Sequence, residues 1–415
     1  MKKLVQNIFH GDSLKALPKF PENHFDSCVT DPPYELGFMN KKWDNTGIAY
    51  NVDFWKEVYR TLKPGAHLLA FGGTRTYHRM TCAIEDAGFE IRDCIQWLYG
   101  SGFPKNHDIS KAIDKASGKE RKKGKLRKDG RGRSPQKIEN HEKGDTGIGH
   151  ADGSKSVYHE TLPASEESEK WNGWGTALKP ANEPIVLARK PLSEKTIAAN
   201  VLKYGTGAIN IEATRIPLSD TGEDPRLGGK GTWNKKAHEG FAGFKGKARI
   251  SNSSPQGRFP ANIILDEEAG EMLDQQTGIL KSGTIKSGIK KVRGGGNIFN
   301  EGLPIQKYTL NIFNEGSPIQ KHTFLANSGG ASRFFYSAKV SKKERGEGNN
   351  HPTVKPIALM RYLIRLITPP DGIVLDPFAG SGSTLIACKA ESVSCIGLER
   401  ELEYVRIIKS RITVF

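Results

Sequence analysis

Apolar positions in the first hundred residues alternate between two periods. LVQNIFH (4–10) and DSCVT (26–30) read as short strands, and AHLLAFGG (66–73) reads as a buried strand. Between them DFWKEVYRTLK (53–63) has the spacing of an amphipathic helix. TYHRMTCAIEDAG (76–88) predicts a helix closed by Gly88, and FEIRDCIQWLYG (89–100) predicts a further strand. The same grammar returns near the other end. There HPTVKPIALMRYLIRLIT (351–368) reads as a helix with a proline near its start, and IVLD (373–376) as a buried strand. GSTLIACKAES (382–392) is a second helix, SCIGLER (394–400) a strand, and LEYVRIIKSRI (402–412) a last helix. Such alternation predicts an α/β fold, a mostly parallel, doubly wound sheet with helices on both faces.

The middle of the chain breaks this pattern. Residues 111–150 carry 13 Lys/Arg against 6 Asp/Glu, with many glycines and almost no large apolar side chains. A solvated, partly disordered insertion is expected there. Order resumes at GWGTALKPANEPIVLARKP (173–191), where EPIVLAR is a single strand. In 193–330 the runs VLKYGTGAINIEATRI (201–216) and RFPANIILD (258–266) look strand-like between glycine-rich basic loops. A tandem repeat, NIFNEGLPIQKYT (297–309) and NIFNEGSPIQKHT (311–323), has a period of 14. Two copies are too few for a solenoid and read as a duplicated loop or hairpin.

Charge adds the first functional hint. The 415 residues hold 62 basic against 46 acidic side chains, a formal net charge of +16. That surplus favours a polyanionic partner, nucleic acid ahead of a membrane, because no basic amphipathic helix stands out. The absence of a leader and of a long apolar run predicts a cytoplasmic protein that neither spans nor binds a membrane. Five cysteines without C-x-x-C pairs or histidines at zinc spacing predict no disulfide framework and no metal site.

Two stretches carry chemistry. In IVLDPFAGSGST (373–384) a strand ends on Asp376 and a small-residue turn leads into a helix. This is how a nucleotide-type ligand is held at the carboxyl edge of a parallel sheet. Gly380 and Gly382 permit close backbone approach. The full dinucleotide spacing and the P-loop lysine are both absent. The next strand ends on Glu399, placed to accept hydrogen bonds from both hydroxyls of a ribose. An adenosine-containing ligand is expected. The second stretch is TDPPYELGF (30–38). Pro32 and Pro33 fix the backbone and remove two amides, so neighbouring carbonyls point in set directions. Asp31 and the Pro32 carbonyl then form an acceptor array, and Tyr34 offers a flat ring. The set suits a planar molecule with an exocyclic amine, adenine or cytosine taken out of a helix.

The combination resembles the S-adenosylmethionine-dependent amino-methyltransferases of DNA, which act on N6 of adenine or N4 of cytosine. Asp12 in FHGDSL is similar to the family's acid that contacts the cofactor adenine. HPTVKP (351–356) resembles the segment lining the methionine end of the pocket, and so gives His351, Thr353 and Lys355 to the cofactor beside Asp376, Phe378, Gly380, Gly382 and Glu399. With DPPY first and the glycine-rich motif last, the order resembles the circularly permuted beta group. The resemblance covers 1–104, 176–192 and 331–415, and implies a seven-stranded Rossmann-like sheet.

On this reading 1–104 is the catalytic half and 105–175 the basic insertion. Residues 176–192 are the last strand of the catalytic half, 193–330 a target recognition domain, and 331–415 the cofactor half. Asn182-Glu183 is similar to a dipeptide that precedes one of two antiparallel strands in the family, IRDCIQWLYG being its partner. Double-stranded DNA is the implied partner, and a second copy of the chain and a cognate restriction nuclease are further candidates. The cell would be bacterial, or a phage host. An Asp before the two prolines goes mostly with adenine in the family, so N6 of adenine is the expected target, with N4 of cytosine as the alternative. RNA or a protein glutamine amide could also present an amine to such a loop, and a decayed scaffold that only binds DNA is the rival from another class. No Pro-Cys nucleophile is present, and Cys28 reads as a core residue.

Overall fold

The computed structural model describes residues 5–37, 44–102, 106–128, 157–216, 257–278, 280–281, 328–329, 331–338, 349, 351 and 354–414. The tandem repeat at 297–323 lies outside them. In chain order the elements begin with β1 (Gln6–His10), α1 (Ser13–Ala16), β2 (Phe25–Thr30), α2 (Val52–Thr61) and β3 (Leu62–Phe71). Next come α3 (Tyr77–Asp86), β4 (Glu90–Leu98), α4 (Ile109–Ala116), β5 (Lys123–Lys128), β6 (Val157–Thr161) and α5 (Glu166–Lys170). They continue with β7 (Asn182–Arg189), α6 (Ile197–Tyr204), β8 (Ile263–Asp266), α7 (Glu267–Thr277), β9 (Leu280–Lys281) and β10 (Ser328–Gly329). The last are β11 (Tyr336–Ala338), α8 (Ile357–Ile367), β12 (Ile373–Asp376), α9 (Ser383–Ala390), β13 (Ser394–Glu399) and α10 (Leu402–Val414).

Two compact units are present, Met1–Ser101 with Ala181–Phe415, and Gly102–Pro180. The first is built on a nine-stranded sheet in the order β1-β13-β12-β2-β3-β7-β4-β8-β11. Every neighbouring pair is parallel except the two made by β7, which runs antiparallel to β3 and β4. β2 is buried at all six positions, as a central strand covered on both faces must be. Its side chains alternate between two cores. Val29 and Leu69 face α8 and α9, whereas Cys28 and Leu68 face α2 and α3. All five cysteines are free thiols, and among the described residues no helix is long and apolar enough to cross a membrane.

The structure corrects several expectations. The sheet has nine strands rather than seven, because β8 pairs with β4 and β11 pairs with β8. Part of the 193–330 region is thereby sheet, its apolar Ile264 and Leu265 being buried in it. VLKYGTGAINIEATRI is not strand: α6 takes its first residues and a 3-10 turn, Glu212–Thr214, follows. The helix is bounded by Thr196, whose hydroxyl accepts from the Ala199 amide, and by Gly205 at φ 76, the usual start and stop signals. The helix predicted from His351 begins only at Ile357, after Pro356.

Unit two, Gly102–Pro180, holds more order than a solvated insertion would. Its centre is polar. Asp114, 1% exposed, accepts from Arg121 Nη1 at 2.8 Å, the Ala164 amide at 3.0 Å and Ser165 Oγ at 3.0 Å. β5 and β6 pair antiparallel beside it in sequence. Apolar periodicity does not report a unit held by charge and hydrogen bonds.

In unit one, fully buried Asn200 ties three segments together. Its Nδ2 donates to the Pro64 and Thr206 carbonyls, both at 2.8 Å, and its Oδ1 accepts from the Ser193 amide at 3.1 Å. Removing it leaves the buried Thr206 carbonyl without that donor, the Pro64 carbonyl with only the Thr206 hydroxyl at 2.6 Å, and the Ser193 amide to water. Asn200→Ala should therefore cost about 1–3 kcal/mol, read as a lowered urea midpoint, and an unchanged midpoint would refute this account of the segment.

Candidate active site

Parallel strands end on one edge, so β2, β12 and β13 deliver Asp31, Asp376 and Glu399 to the same rim. β12 and β2 are neighbours from which the chain leaves in opposite directions, β12 toward β13 and β2 toward β3. A crevice opens at such a switch point.

On the β12 side, Asp376 is 1% exposed and accepts from Thr30 Oγ1 at 2.8 Å and the Phe378 amide at 3.1 Å. Burial pushes its pKa up to about 6. The turn that follows has Gly380 at φ +53 and Gly382 at φ +83, both in the left-handed region. A Cβ on Gly380 would lie 3.2 Å from His351 Nε2, and His351 packs edge-on to Tyr404 with centroids 4.5 Å apart. Glu399 accepts from the Gly380 amide through Oε2 and the Glu401 amide through Oε1, both at 2.8 Å. Burial pushes its pKa up to about 7. Each of its oxygens holds one amide and keeps a lone pair, so the carboxylate fits a ribose diol.

Asp12 stands next to this turn. It caps α1 by accepting from the Leu14 and Lys15 amides, while Ser13 Oγ donates to the Pro377 carbonyl and the Gly11 amide to the Glu399 carbonyl at 2.9 Å. The Phe378 ring lies 5.0 Å from that of Phe54. Thr353 lies outside the described residues.

On the β2 side, the loop leaves the strand through buried Pro32 and turns back at Glu35, whose φ of 55 is left-handed and is held by a 3.0 Å bond from its amide to Asp44 Oδ1. Gly73 lies so near Tyr34 that an added Cβ would meet Tyr34 Cδ2 at 3.3 Å. The Tyr34 hydroxyl donates to Glu183 Oε2 at 2.9 Å. Lys355 Nζ donates to Asp31 Oδ2 at 2.7 Å and lies 3.3 Å from Glu183 Oε2. Burial pushes the Lys355 pKa down, but Asp31 and Glu183 outweigh it and raise the value to about 12. Burial and the same two carboxylates hold the Tyr34 phenol well above its usual range. Asp31 Oδ1 is buried and has no hydrogen-bond partner among the described residues.

Asp31, Pro32, Pro33 and Tyr34 therefore share one loop, and Asp376, Phe378, Gly380, Gly382, Glu399 and His351 share one rim. Sequence reasoning gave Lys355 to the cofactor side, whereas the structure joins Lys355 to Asp31. It left Glu183 without a role. The antiparallel course of β7 starts that strand where β3 and β4 end, and so brings Glu183 to the rim. The Asn182-Glu183 dipeptide was the available signal.

The sequence model of the N6/N4 DNA methylase family matches residues 25–410. The type II methyltransferase M.HindIII of Haemophilus influenzae is 21% identical over 99% of this chain and 96% of its own. DNA adenine methyltransferase YhdJ of Escherichia coli is 43% identical over 68 residues, 16% of this chain and 23% of that protein. The solved PvuII DNA methyltransferase, cytosine-N4-specific, covers 98% of this chain and 85% of its own at 16% identity, with a TM-score of 0.41.

The two raised carboxyl groups set a sign for stability against pH. Each binds its proton more tightly folded than unfolded, so the stability it contributes is complete below its unfolded pKa and is lost as pH rises through about 6 for Asp376 and about 7 for Glu399. The ligand-free protein should lose urea resistance between about pH 4 and 7 from these groups. Glu399→Gln should flatten that decline, and an unaltered slope would remove Glu399 from it.

Proposed function

The chain belongs to the N6/N4 family of DNA methylases, S-adenosylmethionine-dependent enzymes that methylate exocyclic base amines, and from that premise we propose that its target is N6 of adenine. The observation that carries the reading is Asp31, a carboxylate ahead of two prolines with a buried oxygen, Oδ1, to which no described residue donates. The resemblance that links an Asp in this place with adenine supports the choice of base.

Double-stranded DNA hides the amine in the stack, so the base must be flipped out at a cost of a few kcal/mol. Tyr34, its ring fixed at one end by Glu183, returns roughly 1–3 kcal/mol by stacking. Asp31 Oδ1 and the Pro32 carbonyl accept the two N–H bonds of the amine, and Pro33 keeps that loop rigid. Accepting both bonds draws the nitrogen toward tetrahedral geometry and localises its lone pair, so position and electrostatics supply most of the acceleration. S-adenosylmethionine, when bound, supplies the electrophilic methyl and its leaving group. Glu399 holds the ribose, Gly380 and Gly382 admit the backbone approach, and Asp12, Asp376, Phe378 and His351 line the cofactor side, whereas Lys355 stands with Asp31 on the amine side. Region 193–330, the expected target recognition domain, lies outside the described residues apart from 193–216, 257–278, 280–281 and 328–329.

Expression in a host without its own DNA methyltransferases, followed by mass spectrometry of nucleosides, should give N6-methyladenine. N4-methylcytosine alone would overturn the base assignment. Asp31→Ala should lower transfer by about 10²–10³-fold with cofactor affinity nearly intact. Glu399→Ala should instead weaken cofactor binding by about 1.5–3 kcal/mol.

The basic unit Gly102–Pro180 should help to neutralise DNA phosphates. Lys119, Lys122 and Lys123 changed together to Gln should make the slope of log affinity against log salt shallower by about 0.9 for each phosphate left without its lysine. An unaltered slope would make these lysines bystanders.

A further inference from the structure

We infer that Lys355 reads the target base: its ammonium donates to the ring nitrogen next to the exocyclic amine, while Asp31 accepts from the amine itself. The inference rests on the proposed reading of the site as a pocket for a flipped base, and deepens it.

Lys355 is 7% exposed, and its Nζ lies 5.3 Å over the Tyr34 ring and 5.0 Å over that of Phe71. A base laid on that face of Tyr34 meets the ammonium at its edge. An ammonium has three N–H donors and no acceptor. Here one donates to Asp31 Oδ2 at 2.7 Å and a second faces Glu183 Oε2 at 3.3 Å. The third has no acceptor among the described residues. Asp31 shows the complementary imbalance: Oδ2 is taken by Lys355, and Oδ1 accepts nothing among the described residues.

The pair therefore presents one open acceptor beside one open donor. Adenine offers the matching order, an N6–H donor beside the N1 acceptor. Cytosine offers N4–H beside N3. A flipped base is recognised by hydrogen bonds to this Watson–Crick edge, and Asp31 with Lys355 reproduces the edge its partner base presented. Glu183 holds both the Tyr34 hydroxyl and the Lys355 ammonium, which fixes the stacking ring and the donor in one frame. At a pKa of about 12 the donor keeps its proton at any working pH.

A double-mutant cycle across the protein and the base tests this. Wild type and Lys355→Met are compared on duplexes bearing the sequence found methylated in the expression host, with adenine or 1-deazaadenine at the target. The analogue keeps the amine and replaces N1 by C–H. On adenine, Lys355→Met should lower single-turnover transfer by about 10–100-fold, the range of a charge-assisted hydrogen bond. Wild type should lose a similar factor on 1-deazaadenine, and Lys355→Met should lose little more there. Losses that multiply would overturn the inference, since Lys355 would then act only through Asp31 and Glu183. Cofactor affinity, measured on the same preparations, shows that the variant is folded. Should Lys355→Met not hold cofactor, Lys355→Gln takes its place in the cycle. Wild type that transfers nothing to adenine reveals a failure of the base assignment before the cycle begins, and 3-deazacytosine then replaces 1-deazaadenine under the same criterion.

Discussion

A 2.8 Å hydrogen bond from Thr30 Oγ1 to Asp376 Oδ1 joins residues 346 apart in the chain. Everything at the site depends on that closure. Thr30 is the last residue of β2 and Asp376 the last of β12, both strands are buried, and they run parallel in adjacent positions. The loops that follow diverge and open the crevice. Parallel neighbours are never joined by a tight turn, so no direct connection between β12 and β2 is required. Either half can precede the other in the chain without altering the contact, which is why a permuted motif order leaves the site intact.

The second constraint is electrostatic. Asp31 and Glu183 lie at 22% and 20% side-chain exposure around Lys355 at 7%. An uncompensated charge at such depth costs several kcal/mol, and Lys355 offsets one of the two carboxylates. With two carboxylates around one ammonium, the cluster keeps a formal surplus of one negative charge. It also explains why the tyrosine stays a phenol. Two carboxylates and burial oppose its ionisation, and a neutral ring stacks without the repulsion that a phenolate would add.

Much of this was legible because it is local. Strand-then-turn grammar marked the ends of β2, β12 and β13, where Asp31, Asp376 and Glu399 stand, and apolar periodicity marked α2, α3, α8 and α9. What it missed is non-local or polar. RFPANIILD is strand-like in sequence and holds β8, but its pairing with β4, and the three-residue β11 beside it, are not local signals. The α6 segment was lost by reading VLKY as strand, although Thr196 and Gly205 bracket it. Lys355 and Glu183 sit far from Asp31 in sequence, and no spacing rule puts the three together. The Gly102–Pro180 unit has Asp114 and Arg121 where a hydrophobic pattern would have announced a core.

That unit also shows how the sheet accepts a long insertion. β4 and β7 are antiparallel neighbours, and Leu98 pairs directly with Asn182, so the insertion leaves and returns across one rung of the ladder. Immediately past this rung the Tyr99 amide donates to the Ala181 carbonyl at 3.0 Å. Within the insertion Asp108 pairs with Gly175 and the Ile109 amide donates to the Trp174 carbonyl at 3.1 Å. Each unit thus closes its own end of the connection by antiparallel backbone pairs. Closing a longer loop costs only about 0.6 kcal/mol per doubling of length, and here part of that cost is offset inside the unit by the Asp114 network. The register at Leu98 and Asn182, fixed by β4 and β7, is what holds Glu183 next in line at the rim. An insertion at this point can therefore vary in length and charge while the residue that grips Tyr34 and Lys355 stays where the strand pairing puts it.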